Sequence, residues 1–336
     1  MQPFTCIYCK ESRPAVAASE AHVFPHALGG SQRTTDTVCG ACNQLVNREV
    51  ENPALPIFRV FRSMHGVRGR RGVPGVPATA IIEGYRAPVN LGELGRPREA
   101  VVRIETDERG NKRYVVYGTD EMIRTKFEEI SRKHPELVWN EGREDVTVEI
   151  VAEGPLDLTG AAFRRLAAKI AFERFAQLRG SAVATGNDFD SIRHFILTGA
   201  QNSPCCGVCA DSRLLNGSLN IPVPCHAVAL VAHPADRVLG GFVIFFGLFL
   251  YWAILSSRYT ALGPLDDLLI ERPHTRESYS PLLRSGVGAL RVPWHEIITP
   301  FLEDPAAVAR AAMKHATTKF RGAADAFYDD RSNPPE

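Results

Sequence analysis

The chain has 336 residues, of which 45% are hydrophobic and 23% are charged, and its formal net charge is +1. These values are ordinary for a globular protein, and the length suffices for two or three compact units. The near-neutral net charge excludes an overall positive potential that would by itself indicate nucleic-acid binding. Residues 1–9 have neither a charged start nor an apolar run, so we expect no secretory signal and a cytoplasmic protein with reduced thiols.

Four cysteines near the N-terminus form two Cys-x-x-Cys pairs, Cys6 with Cys9 and Cys39 with Cys42. Each pair forms one tight knuckle that offers two thiolates to a single ion. Two knuckles about thirty residues apart therefore suit a tetrahedral zinc site. A disulfide-bonded pair of knuckles is the alternative, and the lack of a secretory signal favours zinc.

The stretch between the two knuckles carries a second motif. Residues 19–30 read Ser-Glu-Ala-His-Val-Phe-Pro-His-Ala-Leu-Gly-Gly, and Asn43 directly follows the last cysteine. The two knuckles, His-x-x-Pro, Leu-Gly-Gly and Cys-Asn together resemble the HNH nucleases, and the layout is similar to their zinc-stapled, endonuclease VII-like branch. The resemblance covers residues 4–55, about a sixth of the chain, and depends on the motifs occurring together.

The resemblance implies a ββα-metal unit in which His22 is the general base and Asn43 is a ligand of the catalytic metal ion. An imidazole titrates near neutral pH and deprotonates water, and Mg²⁺ or Mn²⁺ offsets the charge on a scissile phosphate. The implied reaction is hydrolysis of phosphodiester bonds in DNA. Zinc is then a separate, structural ion that replaces a hydrophobic core. The structural alternatives are a buried histidine and, for Asn43, a helix N-cap.

One position departs from the pattern of the family. The residue before the base is usually an acidic metal ligand, and here it is Ala21. Glu20 is the nearest replacement, but strand alternation places it on the same face as His22, so it fits only if the backbone bulges. Three further residues are candidates to complete the site: His26, Asp36 and Glu51.

A basic segment follows the motif. No Asp or Glu occurs from Asn52 to Ile82, and the stretch contains five arginines: Arg59, Arg62, Arg68, Arg70 and Arg71. Arginine makes planar, bidentate contacts with phosphate, and the neighbouring Gly and Pro residues leave the segment mobile enough to close on a substrate. We predict that these arginines and Arg33 bind nucleic acid. The alternative is a solvated linker that happens to be basic.

Several elements are predicted in the rest of the chain. Residues 100–117 indicate a hairpin around a glycine turn, followed by a helix over 120–133 and a strand at 146–151. A short helix is expected over 189–197. The last helix is expected to run from Pro305 to Gly322, with Asp304 as its cap.

The clearest helical pattern runs from about residue 160 to residue 179. Thr159 is the predicted cap, and Gly180 is expected to end the helix in a left-handed conformation. Apolar residues recur on one face, and the basic residues between them are expected on a solvated face. These basic residues are Arg164, Arg165, Lys169, Arg174 and Arg179.

Residues 238–257 carry no charge and are long enough to cross a bilayer as a helix. They are nevertheless rich in aromatic and β-branched residues, contain three glycines, and follow another apolar run at 225–233 across a turn signal. We therefore expect a buried β-hairpin and no contact with a membrane.

A second group, Cys206, Cys209, Cys225 and His226, could hold another metal ion. Adjacent residues on a strand point to opposite faces, so Cys225 and His226 would seldom reach one ion. Buried free thiols are the expected state.

The sequence thus predicts an α+β protein in which an N-terminal ββα-metal zinc unit precedes a larger α+β domain with antiparallel strands. The expected divisions are a nuclease-like unit (1–65), a basic linker (66–98), an accessory or regulatory domain (99–325) and a polar tail (326–336). The expected function is a metal-dependent DNA endonuclease, with restriction or phage defence as its setting. The alternative is a zinc-knuckle module that binds nucleic acid without cleaving it. Nothing in the sequence fixes the oligomeric state.

Overall fold

The computed structural model describes residues 3–69, 72–82, 85–90, 96–97, 100–106, 110, 112–118, 120–136, 148–151, 157–200, 205–233, 237–259, 266–273, 275–279 and 294–332. Within these residues the protein has an α+β fold in which all strand pairs are antiparallel. The chain divides into two compact units. The first combines residues 1–56 with residues 156–336, and the second consists of residues 57–155.

The N-terminal part of the first unit has two short hairpins followed by a helix. Its strands are β1 (Phe4–Thr5), β2 (Ser12–Arg13), β3 (Ala21–His22) and β4 (Arg33–Thr34), paired β1 with β2 and β3 with β4. Helix α1 (Gly40–Val46) continues through a π-helical turn (Asn47–Glu51) into α2 (Asn52–Ala54). The β3–β4 hairpin and α1 form the expected ββα arrangement.

The second unit is described by itself. Its elements are α3 (Arg59–Met64), β5 (Pro77–Ile82), β6 (Tyr85–Asn90), β7 (Arg96–Pro97), β8 (Val101–Thr106), β9 (Lys112–Tyr117), α4 (Asp120–Lys133) and β10 (Val148–Val151). A four-stranded sheet has the order β10-β5-β6-β7, and β8 pairs with β9. The predicted hairpin, helix and strand are confirmed.

The predicted linker, 66–98, differs from the structure because it contains strands β5 and β6. The Gly- and Pro-rich composition ends at Pro77, and the β-branched residues that follow suit a pleated strand.

The second part of the first unit packs helices against a six-stranded sheet. Its elements are α5 (Ala161–Arg179), α6 (Ser181–Ala184), α7 (Asp190–Thr198), β11 (Cys206–Cys209), β12 (His226–His233), β13 (Val238–Phe245), β14 (Phe249–Ser256), β15 (Asp266–Arg272), β16 (Glu277–Tyr279), α8 (Trp294–Glu303) and α9 (Pro305–Ser332). The sheet order is β11-β14-β13-β12-β15-β16.

Two predicted helix ends were wrong. Helix α5 has Gly160 at its N-cap position without a side-chain cap, because the Thr159 hydroxyl donates instead to Asp157 Oδ1 at 2.9 Å. Helix α9 begins as predicted, with Ala307 N donating to Asp304 Oδ1 at 2.8 Å. It continues past Gly322 to Ser332, since the alanines that follow the glycine favour a helix.

The uncharged stretch at 238–257 forms two paired strands, β13 and β14, so it adds a second hairpin to the β12–β13 hairpin expected there. The turn between them needs Gly247, whose φ is +70° and whose missing Cβ would lie 2.6 Å from Pro222 O. Among the described residues, no helix is both long and apolar enough to cross a membrane.

The N-terminal part shares a core with the second part of its unit. Phe24 is fully buried, stacks on His226 and meets Phe245 edge to face. Arg193 Nε donates to Ile7 O at 2.6 Å, which ties the first knuckle to α7. The divisions expected at 65 and 98 therefore differ from the observed units, because residues 3–56 dock on the sheet and helices of residues 157–332.

Candidate active site

The four predicted zinc ligands lie together. The Sγ atoms of Cys6, Cys9, Cys39 and Cys42 are all within 4.8 Å of one another. A zinc ion with Zn–S bonds of about 2.3 Å would place tetrahedral sulfurs about 3.8 Å apart, so the four thiolates fit zinc. A hydrogen bond from the Cys42 thiol lowers the pKa of Cys6 to about 4 and raises that of Cys42. The pocket therefore already favours a thiolate.

The loop between β3 and β4 is shaped by the Leu-Gly-Gly motif. Gly29 adopts a φ of +88° after the 3-10 turn His26–Leu28, and a Cβ there would lie 2.6 Å from Pro273 Cβ. A Cβ on Gly30 would lie 2.0 Å from Phe24 O. Gly29 thus allows the loop to pack closely on Pro273, and Gly30 allows it to fold back on its own backbone at Phe24, which assigns both glycines to close packing of the backbone.

His22 is half-buried at the end of β3, opposite Arg33 in the hairpin. Its Nε2 atom is buried and has no hydrogen-bond partner within the described part of the chain. The His26 ring lies 5.5 Å away, edge to face. Burial lowers the pKa of His22, as do the charges of Lys169 and Arg33, so the imidazole is held neutral.

Asn43 lies in the first turns of α1 and reaches the residues directly before the strand that carries His22. Its Nδ2 donates to Ser19 Oγ at 2.9 Å and to Glu20 O at 3.4 Å. Cys39 occupies the N-cap position of α1, so the alternative that Asn43 caps this helix was wrong. Both hydrogen bonds use Nδ2, so within the described part of the chain the Oδ1 atom is the one left to accept a hydrogen bond or bind an ion.

The structure places the candidate acids in different surroundings. The Glu20 carboxylate is half-exposed and forms an ion pair with Arg33 Nη1. Asp36 is exposed. Glu51 is buried against Lys169, at 3.0 Å, so it is bound to a cation inside the protein. Ala21, at the position where the family usually has an acidic metal ligand, is 1% exposed, which leaves no solvent-accessible room for a carboxylate there.

Clusters of three or more His, Cys, Asp or Glu ligand atoms are limited, among the described residues, to the four cysteines. The possible second metal group is therefore not assembled. His226 Nε2 donates to Leu28 O at 3.0 Å, and its Nδ1 accepts from Phe246 N at 3.2 Å. Burial raises the pKa of three thiols in this region, so they are protonated: Cys206, Cys209 and Cys225.

Sequence reasoning missed a buried ionic network beneath the hairpin. Lys169, predicted on a solvated face, is 1% exposed and binds the carboxylates of Glu51 and Glu173. Its Nζ also donates to the carbonyl oxygens of His22 and Val23. The signal was present in the sequence, because the helix is apolar on nearly all sides around this lysine, and a buried lysine requires partners.

Two further contacts hold the β3–β4 loop to the large sheet. The buried Glu271 carboxylate accepts from Gln32 N at 2.9 Å and Ser31 N at 3.3 Å. Gln177 on α5 donates to Arg33 O at 3.3 Å. Neither Glu271 nor Gln177 belongs to a recognisable sequence motif, since their contacts with the loop form only in the folded chain.

The predicted nucleic-acid contacts fall in both units. Arg33 belongs to the first unit, whereas Arg59, Arg62 and Arg68 belong to the second. Arg59 is exposed and donates to Gly75 O at 2.6 Å, and burial lowers the pKa of Arg62. Arg70 and Arg71 lie outside the described residues. Binding of nucleic acid by these arginines stays a prediction.

Comparison with known proteins agrees with this geometry. Residues 6–56 match a family model described as HNH endonuclease, and the match ends where the first segment of the first unit ends. No curated protein and no solved structure matched the chain. The N-terminal segment therefore carries the HNH domain that this model describes, with a four-cysteine cluster that suits zinc.

Proposed function

We propose that the protein is a metal-dependent endonuclease that hydrolyses phosphodiester bonds in DNA, with a role in restriction or phage defence. The observation that carries the proposal is the meeting of α1 with the β3–β4 hairpin inside the HNH segment. Asn43 contacts Ser19 and Glu20, which directly precede the strand of His22. The hairpin and α1 thereby hold the neutral imidazole of His22 and the amide oxygen of Asn43 in one small ββα unit.

His22 is proposed to take a proton from the attacking water. Its lowered pKa keeps the imidazole unprotonated at neutral pH, as a general base requires. Because Nε2 is buried, water from solvent would approach the ring through Nδ1. His26, whose ring packs against that of His22, is proposed to orient the base or contact the phosphate.

Asn43 Oδ1 is the proposed protein ligand of Mg²⁺ or Mn²⁺, with Glu20 as the acidic ligand in place of Ala21. The oxygen donors of an amide and a carboxylate suit a hard divalent ion, which when bound would offset charge on the scissile phosphate. Arg33 now binds the Glu20 carboxylate. A phosphate that attracts Arg33 would release Glu20 for the ion.

The first test is cleavage of supercoiled plasmid, single-stranded DNA and RNA by the zinc-loaded protein with Mg²⁺ or Mn²⁺. Cleavage of DNA that EDTA abolishes is expected. His22→Ala should lower the rate about 10²- to 10⁴-fold, as removal of a general base does. His295→Ala, which changes an exposed histidine on α8, is the matched control and should cleave normally. Equal cleavage by both variants would contradict the role of His22.

A second candidate function is binding of nucleic acid without cleavage. It is favoured by the burial of Ala21, which stands at the position where the family usually has an acidic metal ligand. A zinc-loaded protein that binds DNA with salt-sensitive affinity, but cleaves none of the three substrates, would support this alternative.

A further inference from the structure

Three pieces of the HNH segment converge on one side chain from the other part of the chain. The Lys169 ammonium of α5 contacts the hairpin through the His22 and Val23 carbonyls and the helical part through Glu51. It also binds Glu173, which accepts a hydrogen bond from the Tyr8 hydroxyl of the first knuckle at 2.8 Å. Hairpin, helix and knuckle are thus joined at a single buried cation.

The ammonium is charged in spite of its burial. Desolvation lowers the pKa of Lys169, but Glu173 and Glu51 outweigh this effect and raise it above its usual value. Hydrophobic side chains in place of the whole buried group, Lys169 with Glu51 and Glu173, would fill such a site at little cost, since buried ion pairs seldom add net stability; removal of the lysine alone would leave two buried carboxylates unpaired. The charge at this point therefore calls for an explanation other than stability.

The carbonyl contacts supply that explanation. The β3–β4 ladder consists of two residue pairs, and beyond it Val23 N donates to Gln32 O at 3.0 Å, so only a short stretch of backbone pairing fixes the chain where it leaves His22. Lys169 donates to two successive carbonyl oxygens at this point. A hydrogen bond from a charged donor is roughly twice as strong as a neutral one, and it fixes the peptide from which the imidazole projects.

We propose that Lys169 is a positioning residue for His22, so that the part of the chain outside the HNH segment sets the geometry of the catalytic base. This inference rests on the proposed function. A misplacement of about 1 Å costs on the order of 100-fold in rate, and it need not weaken binding of the substrate. Loss of Lys169 should therefore lower kcat and leave KM nearly unchanged.

The test compares Lys169→Met with Arg174→Met in the full-length, zinc-loaded protein. Both variants remove a buried cation from α5, but Arg174 binds Asp267 on β15 and the Gln177 side chain rather than the His22 peptide. A third variant combines Lys169→Met with Glu51→Gln and Glu173→Gln, so that no carboxylate is left unpaired if the single variant unfolds. Steady-state kinetics and amide hydrogen exchange of residues 20–24 are measured for each.

Both Lys169 variants are expected to lose about 10- to 100-fold in kcat with KM within about threefold, and to exchange faster at residues 20–24. Arg174→Met should match the wild type in both properties once corrected for folded fraction. A folded Lys169 variant with normal kcat, or with unchanged exchange, would overturn the inference. If the wild type cleaves nothing, the proposed function fails, and the exchange rates alone decide whether Lys169 positions the hairpin.

Discussion

Glu271 offers a direct test of how the large sheet holds the β3–β4 loop. Its carboxylate is fully buried, Oε1 accepts from the amides of Ser31 and Gln32, and Oε2 has no partner within the described residues. Burial raises the pKa of Glu271 from 4.5 to about 7, and the two amide hydrogen bonds only partly oppose the shift. The folded protein therefore retains this proton where the unfolded chain releases it.

The sign of the pH dependence follows from proton binding. Below about pH 4.5 the Glu271 carboxyl is protonated in both the folded and the unfolded state, so it does not lower the free energy of unfolding. Between about pH 4.5 and 7 only the folded state keeps the proton, so the free energy of unfolding falls as pH rises, and above about pH 7 the full cost is present. At about 1.4 kcal/mol per pKa unit the full cost is roughly 3 kcal/mol, of which about 2.5 kcal/mol develops between pH 5 and 8.

Glu271→Gln keeps an oxygen acceptor for the two amides but cannot ionise. The difference in unfolding free energy between variant and wild type should therefore grow in favour of the variant by about 2.5 kcal/mol from pH 5 to 8. Urea unfolding, followed by the fluorescence of the buried Trp252 and Trp294, measures it at saturating zinc. Glu303→Gln, at an exposed glutamate on α8, is the control for the substitution itself. A Glu271→Gln difference constant to about 0.5 kcal/mol would refute the reasoning.

Three further predictions concern the site. Cys39→Ser should abolish the bound zinc measured by mass spectrometry, whereas Cys209→Ser should leave one zinc per chain. Equal loss of zinc in both variants would support a second metal site that includes Cys209. Gly30→Ala should destabilise by about 1–3 kcal/mol or more in urea unfolding, because its Cβ meets Phe24 O, while Gly40→Ala, with open space around it, should be neutral or stabilising. His226→Ala should cost about 2–4 kcal/mol with zinc retained, and zinc loss would contradict a purely structural role.

The four-cysteine cluster and the HNH motif could be predicted because their chemistry is local. Two Cys-x-x-Cys knuckles specify one ion by spacing, and the residues between them carried the HNH motif that the family match confirms. The roles of His22 and Asn43 stay predictions. The helix over α5 followed from periodicity, and the strands near 238–257 followed from aromatic and β-branched residues beside a turn signal, since both patterns describe burial along one element.

The partners of buried charges could not be predicted in the same way. Lys169 was assigned to a solvated face, because helical spacing says which residues share a face and not what covers that face. Glu51 lies far away in sequence and reaches Lys169 only once the HNH segment docks on α5. Glu271 in β15 likewise gained its role from the loop that approaches it. Such contacts depend on tertiary structure, which overrides local pattern.

The expectation that zinc replaces a hydrophobic core in the HNH segment leads to a final prediction. Val23, Phe24 and Leu28 are fully buried, and Phe24 packs on residues of the large sheet. Burial of three such side chains is worth roughly 5–9 kcal/mol, and a fragment of residues 3–56 would forfeit much of it. Zinc binding supplies folding free energy at the knuckles, but it does not reach the loop between β3 and β4.

We therefore expect the 3–56 fragment to bind one zinc ion through its four cysteines and yet to leave its β3–β4 hairpin unprotected from hydrogen exchange. In the full chain the same amides should be protected, because α5 and the sheet cover the hairpin. A zinc-loaded fragment whose hairpin is protected as in the full chain would show that the metal alone organises the site. The unprotected outcome would mean that the HNH motif is complete in sequence but incomplete as a folding unit, so that the remainder of its unit is part of the active-site framework.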